Sequence, residues 1–356
     1  MMKMKEFGSV LLLVPILVLA PSGAEAQRQT YTKGQPLYPA YEGWAENADG
    51  SIDMLFGYMN QNWEQTLDVP IGSDNAFSPG PADTGQPTHF LPRRNRFVFQ
   101  VPVPDGFGED DELVWTLRSN GQEFRAYGTL REDLYVDNII IMSETGALGA
   151  GTSDPGIRGN IPPLIELEGG MERTVGAGET LTLSAMITDD GEPNRERRRL
   201  EREAETAAAV AAAEAAAAAA GDDEEESEVE EDAESDEEED AEPTPEELLQ
   251  QALRTRTATS TVSKRVALHF TWFVYRGPDG GVVFDPPQIK PWEDTRPYAN
   301  SPWSLAWTAP DLPEDGQWVS EVTFSQPGTY VLRGRADDGG LYSDVEVTVR
   351  VQSTVF

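Results

Sequence analysis

The sequence predicts an all-β protein made of two antiparallel β-sandwiches, and two observations carry that expectation. Apolar residues alternate with period two through long stretches of the chain, which places them on one face of a strand. Turn-forming pairs such as Asn120-Gly121, Asp190-Gly191 and Pro327-Gly328 fall between the alternating runs and bound the strands.

The first 26 residues form a separate element. Lys3 and Lys5 precede an apolar run from Phe7 to Ala20, and Ala24-Glu25-Ala26 places small residues before a cleavage point at Gln27. This is the pattern of a secretory leader. Its apolar run is short of the roughly 20 residues that cross a bilayer, so no membrane insertion is expected, and the chain reads as exported to the periplasm or beyond. The absence of cysteine excludes disulfides, thiolate metal sites and thiol nucleophiles, so core burial must stabilise the fold.

Residues 27–142 read as the first sandwich. Ile52, Met54, Phe56 and Tyr58 share one strand face, as do Phe97, Phe99, Val101 and Val103. Leu113, Trp115 and Leu117 lead into Asn120-Gly121, a pair that supplies the two positive φ angles of a tight hairpin, and Phe124, Ala126, Gly128 and Leu130 return. Asn62 and Trp63, at the next turn after Tyr58, are surface candidates. Residues 143–160 are rich in Gly, Ala, Ser, Thr, Asp and Pro and read as a linker.

Residues 161–356 read as the second sandwich. Leu181, Leu183, Ala185 and Ile187 face one way and end at Asp189-Asp190-Gly191. Strand character resumes with Val266, Leu268, Phe270, Trp272 and Val274 on one face, and Ala267, His269, Thr271, Phe273 and Tyr275 on the other. Between them lies an insertion spanning 194–262. Its Arg- and Ala-rich first part is built of strong helix formers. The following tract holds 16 acidic side chains between Asp222 and Glu242 with one valine and no aromatic, a composition expected to stay disordered. Thr244-Pro245-Glu246-Glu247 is a capping box opening a short helix. The insertion reads as a tolerated low-complexity expansion, with diffuse Ca²⁺ binding or capture of a basic partner as the functional alternative.

Gly328-Thr329-Tyr330-Val331-Leu332 resembles the tyrosine corner of immunoglobulin-like sandwiches, with Trp272 in the place of their core tryptophan. Ala185 and Leu332 stand where antibody domains carry cysteines. Phe270-Thr271-Trp272-Phe273, followed by the glycine turn at Gly277–Gly281, is also similar to bacterial PKD-like modules, although the acidic residue that follows the Trp in PKD domains is missing. The resemblance runs from Pro162 to Val351 outside the insertion, and extends to secreted bacterial proteins that carry such a C-terminal module. It implies a fold, and no single activity.

A formal charge of −36 disfavours nucleic acid and anionic lipid as partners. With only His89 and His269, and with no metalloprotease, nucleophile-elbow or phosphate-loop motif, no catalytic residue is assigned and an enzyme is not expected. The favoured function is a noncatalytic module with a protein or polysaccharide partner. Trp292, Trp303 and Trp307, in a proline-rich loop, are candidate carbohydrate-stacking rings. A carboxylate-based glycoside hydrolase is the third alternative. Asp189, Asp190, Asp337 and Asp338 end two strands at one pole and are candidate Ca²⁺ ligands, although Asp-Gly pairs also close turns unaided.

Overall fold

The computed structural model describes residues 32–144, 158–192, 204, 264–265, 267–278, 280–292 and 307–353. The leader, nearly all of the insertion and most of the expected linker lie outside the described residues. Residues 31–356 group into one compact unit, built on two hydrophobic cores.

The first core is enclosed by two three-stranded sheets. β1 (Leu37–Glu46), β2 (Ile52–Asn60) and β6 (Arg93–Pro102) form one, in the order β1-β2-β6. β4 (Asn75–Ser78), β7 (Leu113–Ser119) and β8 (Gln122–Gly128) form the other, while β3 (Leu67–Asp68) and β5 (His89–Phe90) make a short flanking pair. Met54, Phe56, Tyr58, Leu113, Trp115 and Leu117 are all buried in this core, as their alternation requires. Trp115 stacks on Phe77 and donates Nε1 to Asn75 Oδ1 at 3.0 Å. The hairpin forms at Asn120 (φ 50°) and Gly121 (φ 75°), with Ser119 opposite Gln122.

Two local departures from alternation have identifiable causes. The β2–β6 register shifts between Phe56 and Tyr58, and Phe97 there adopts φ 48°. This bulge turns Phe97 away from Phe99 and Val101 into a satellite cluster with Leu55 and Val136. The strand pattern also stops before Met142. Asn138–Glu144 form a short helix, α1, whose first turn is capped by Asp137 Oδ1 accepting from the Ile140 amide at 2.9 Å.

The second core lies between two four-stranded sheets. One has the order β10-β18-β17-β13, from β10 (Glu172–Gly176), β13 (His269–Arg276), β17 (Gly328–Asp337) and β18 (Tyr342–Gln352). The other has the order β14-β16-β11-β9, from β9 (Leu164–Leu167), β11 (Thr180–Thr188), β14 (Val282–Asp285) and β16 (Gln317–Phe324). β12 (Lys264–Arg265) pairs in parallel with β15 (Trp307–Thr308), and β10 runs parallel to β18. Trp272, Ala185 and Leu332 are fully buried together, so apolar packing occupies the position where a disulfide would sit.

The tyrosine corner is present. Tyr330 is fully buried and its hydroxyl donates to Gln326 O at 3.0 Å. Gly277 leaves room for the ring, since a Cβ there would collide with it. Tyr330→Phe keeps the packing and deletes the donor, so it is expected to lower stability by about 1 to 2 kcal/mol in urea unfolding. An unchanged midpoint would show that the corner bond contributes nothing.

The face of β13 opposite Trp272 is buried as well. Phe273 and Tyr275 belong to the first core, while His269 and Thr271 have no exposed surface. Around them the two sandwiches are joined by hydrogen bonds. Thr88 N donates to Tyr275 O at 3.1 Å, and the Tyr275 hydroxyl to Gly85 O at 2.5 Å. Arg276 bridges to Asp83 at 2.7 Å, which holds that carboxyl below its ordinary range.

Two buried arginines of β17 complete the junction. Arg333 lies 3.5 Å above the Tyr275 ring and donates to Val98 O and to Glu346. Arg335 lies 3.8 Å above the Tyr342 ring, donates to Phe97 O at 3.1 Å and pairs with both oxygens of Asp344 at 2.7 Å. Each guanidinium thus uses its flat face and its edge at once, a geometry that lysine cannot supply.

Candidate functional site

The residues expected to carry function are placed as follows. Trp292 is 6 % exposed, and Trp318 of β16 packs against the second core. Packed rings are not available for stacking on a sugar. Trp303 lies outside the described residues, and Trp307 opens β15 in register with Lys264. Asn62 is fully buried, its amide bonded to Gln35 O at 3.0 Å and Asn60 Oδ1 at 2.7 Å, which makes it a structural residue rather than a surface one.

The four aspartates close their own turns. Asp189 Oδ2 accepts from Gly191 N at 2.9 Å, and Asp190 Oδ1 from Glu192 N at 2.8 Å. Asp337 Oδ1 accepts from Gly339 N at 2.6 Å; Asp338 Oδ1 accepts from Gly340 N at 2.6 Å and Leu341 N at 2.8 Å. Among the described residues, no group of three or more His, Asp or Glu side chains is placed to hold a metal ion. One oxygen of each aspartate is thus engaged by its own turn's backbone, the Asx geometry that closes Asp-Gly turns without a metal.

A different site emerges where the sandwiches meet. A cleft of about 650 Å³ has one wall from the first sandwich, Trp63, His89, Leu91, Pro92 and Arg93. The other wall comes from β13, from Val282–Phe284 of β14, and from Pro287–Pro291. The last segment is fixed rather than free. Gln288 Oε1 accepts from Trp272 N at 2.9 Å, Thr271 Oγ1 donates to Ile289 O at 2.7 Å, and Lys290 Nζ reaches Arg94 O at 3.4 Å.

Three ionisable side chains, all basic, are among the described lining residues of this cleft. His89 is oriented by Asp68, whose Oδ1 lies 2.7 Å from Nδ1 across the β3–β5 pair. Arg93 adopts φ 65°, a strained conformation for a long side chain, and its Nη1 donates to Gln61 O at 2.7 Å. With Lys290 these are the ionisable lining residues, and no aspartate or glutamate is among them. By contrast, a proline-walled cavity of about 560 Å³ on the first sandwich is lined by Asp105, Asp111 and Glu112 and by no basic residue. In a chain of charge −36, the basic lining of the junction cleft contrasts with that acidic cavity.

Of the cleft residues, sequence reasoning offered only Trp63 as a surface candidate. His89, Arg93 and Lys290 come from segments that are distant in the chain and carry no shared motif, so no local signal links them.

No protein-family model matches the chain, and no curated protein does. Among solved structures it is similar to the eight N-terminal Ig domains of Down Syndrome Cell Adhesion Molecule, at 9% identity over 89% of this chain and 27% of that one, with a TM-score of 0.20. It is similar to domains 1–6 of the surface layer protein SbsC at 7% identity over 90% of this chain and 28% of that one, with a TM-score of 0.22. A chimeric titin Z1Z2 matches at 8% identity over 90% of this chain and 100% of that one, with a TM-score of 0.21. The chain spans about a quarter of the length of the first two. Likenesses at this level carry no functional argument, and the all-β sandwich architecture rests on the strands themselves.

Proposed function

We propose that this chain is an exported, noncatalytic binding module that receives a protein or polysaccharide partner in the cleft between its two sandwiches. The observation that carries the reading is the lining of that cleft: apolar walls contributed by both sandwiches and ionisable groups that are all basic. Concave, mostly apolar sites with a few placed polar groups are where ligands bind. The leader pattern in residues 1–26 supports export. Among the described residues, no carboxylate lines this cleft.

The test uses the full chain after leader removal, screened by tryptophan fluorescence and calorimetry against peptide and glycan panels. Val283 is 65 % exposed and lines the cleft, so Val283→Arg should leave folding intact while weakening a cleft-bound ligand at least tenfold. A ligand bound equally well by the variant would place binding elsewhere. Absence of binding across both panels would overturn the binding reading itself.

A further inference from the structure

We propose that the proline-walled cavity of the first sandwich is a second binding site, independent of the junction cleft, which takes a lysine or arginine side chain presented between apolar residues of an extended segment in a partner protein. The cavity measures about 560 Å³ and forms where the β4–β5 connection, the end of β6 and the start of β7 meet. Its floor is part of the sandwich itself. Val101 and Leu113 belong to the first core, at 4 % and 1 % exposed, and Phe107 packs against that core. Two Pro-x-Pro ridges, Pro79–Pro81 and Pro102–Pro104, supply the apolar walls. A ligand therefore meets a surface that is already ordered, with little side-chain freedom left to lose.

The polar character of the cavity is one-sided. Proline has no N–H, so the two ridges offer no backbone donor at their proline positions. In the turn between β6 and β7 the Phe107 amide donates to Pro104 O at 3.1 Å and the Gly108 amide to Asp111 Oδ2 at 2.8 Å, so these donors are used internally. Acceptors remain. Asp105 and Glu112 are exposed, and among the described residues neither they nor Asp111 stand in an ion pair. With no basic residue in the described lining, the set calls for a positively charged donor. Among the described residues no three carboxylates are placed to hold a metal ion, so the fitting cation is an organic one. Lys and Arg side chains can lay an aliphatic stem on the apolar floor while the charged head reaches the carboxylates. Apolar neighbours in the same segment cover the proline ridges, which a free polyamine, charged at both ends, does not.

Calorimetry on the full chain after leader removal compares three probes: a set of linear peptides whose apolar flanks surround a central Lys, Arg, Gln or Glu, the polyamine spermidine, and a synthetic peptide of this chain's own arginine-rich residues 195–202. Lys- and Arg-centred peptides are expected to bind, and Gln-centred ones to bind about tenfold more weakly or worse. Added salt and serine flanks should each weaken binding, and the complex should show slowed hydrogen exchange at residues 103–113. Asp105→Asn combined with Glu112→Gln, both at exposed positions, should cost the Lys-centred peptides about tenfold and leave the Gln-centred ones unchanged. Val283→Arg, in the junction cleft, should change none of this, so failure of one site is distinguishable from failure of the other. The Lys-to-Gln comparison alters only the ligand and holds even if the double variant is unstable. Equal affinity for Lys- and Gln-centred peptides, or undiminished binding by the folded double variant, would overturn the charge recognition. Binding of spermidine or of the 195–202 peptide without binding of the Lys- and Arg-centred set would overturn the occupant, and no binding of any probe would overturn the site.

Discussion

Arg335→Ala is expected to lower stability by about 3 to 5 kcal/mol and to replace one cooperative thermal transition by two, because it removes a buried charge that ties the sandwiches together. Arg335 is 3 % exposed. Burial opposes its charge, but the two 2.7 Å contacts with Asp344 more than offset that and hold the guanidinium firmly protonated. Deleting the side chain strips Asp344 of its bidentate partner, empties the space above the Tyr342 ring and removes one of the two donors on Phe97 O. The exposed pair of Arg350 and Glu172 at 3.3 Å is the control, and Arg350→Ala should cost nothing measurable. Differential scanning calorimetry checks both. A single transition displaced by less than the equivalent of about 1 kcal/mol would mean the arginine does not couple the two halves.

The second large effect is pH-dependent and belongs to Asp338. Burial pushes its carboxyl up to about 7, against the stabilising pull of the Leu341 and Gly340 amides and of Asn160, whose Nδ2 lies 3.1 Å from Oδ2. Asn160 is buried too, and its Oδ1 has no hydrogen-bond partner. A protonated Asp338 meets that need once the amide turns over, since its hydroxyl can donate to the Asn160 oxygen. The folded state therefore binds this proton more tightly than the unfolded chain, in which aspartate titrates near 3.8. The stabilisation is complete below about pH 4 and is lost as pH rises through about 7.

Asp338→Asn fixes the neutral form. Its oxygen can still accept from the turn amides, and its Nδ2 can donate to a turned Asn160. The variant's stability advantage over the parent should grow by on the order of 3 kcal/mol between pH 5 and pH 8. Urea unfolding at both pH values measures the difference, and a stability gap that does not change with pH would remove Asp338 as the titrating group.

What was legible in the sequence was whatever depends on neighbouring residues. Asn120-Gly121 specifies its turn through two positive φ angles, and Tyr330 bonds a carbonyl only four residues back, so both are read locally. The core faces of β2 and β7 followed from strict alternation. The bulge at Phe97 was not legible, because it is set by register against β2 rather than by its own sequence. Arg333 and Arg335 alternate with apolar residues and look like an outer strand face; both are buried because another sheet covers them. A signal did exist in β13, where Phe273 and Tyr275 make the supposedly outer face as aromatic as the inner one. A strand apolar on both faces is a strand covered on both sides. The junction cleft depends on that covering and was invisible for the same reason.

The shared ownership of β13 also bears on the order in which the chain can mature. Synthesis proceeds from the N-terminus, so every strand of the first sandwich, through Gly128, leaves the ribosome well before Phe273 and Tyr275. Until those two rings arrive, the first core has an uncovered side, and a chain interrupted anywhere between the sandwiches is left with an adhesive hydrophobic surface. Such fragments are what quality-control proteases and holding chaperones recognise. The first half of the chain therefore completes its core only after residues 273 and 275 have been made.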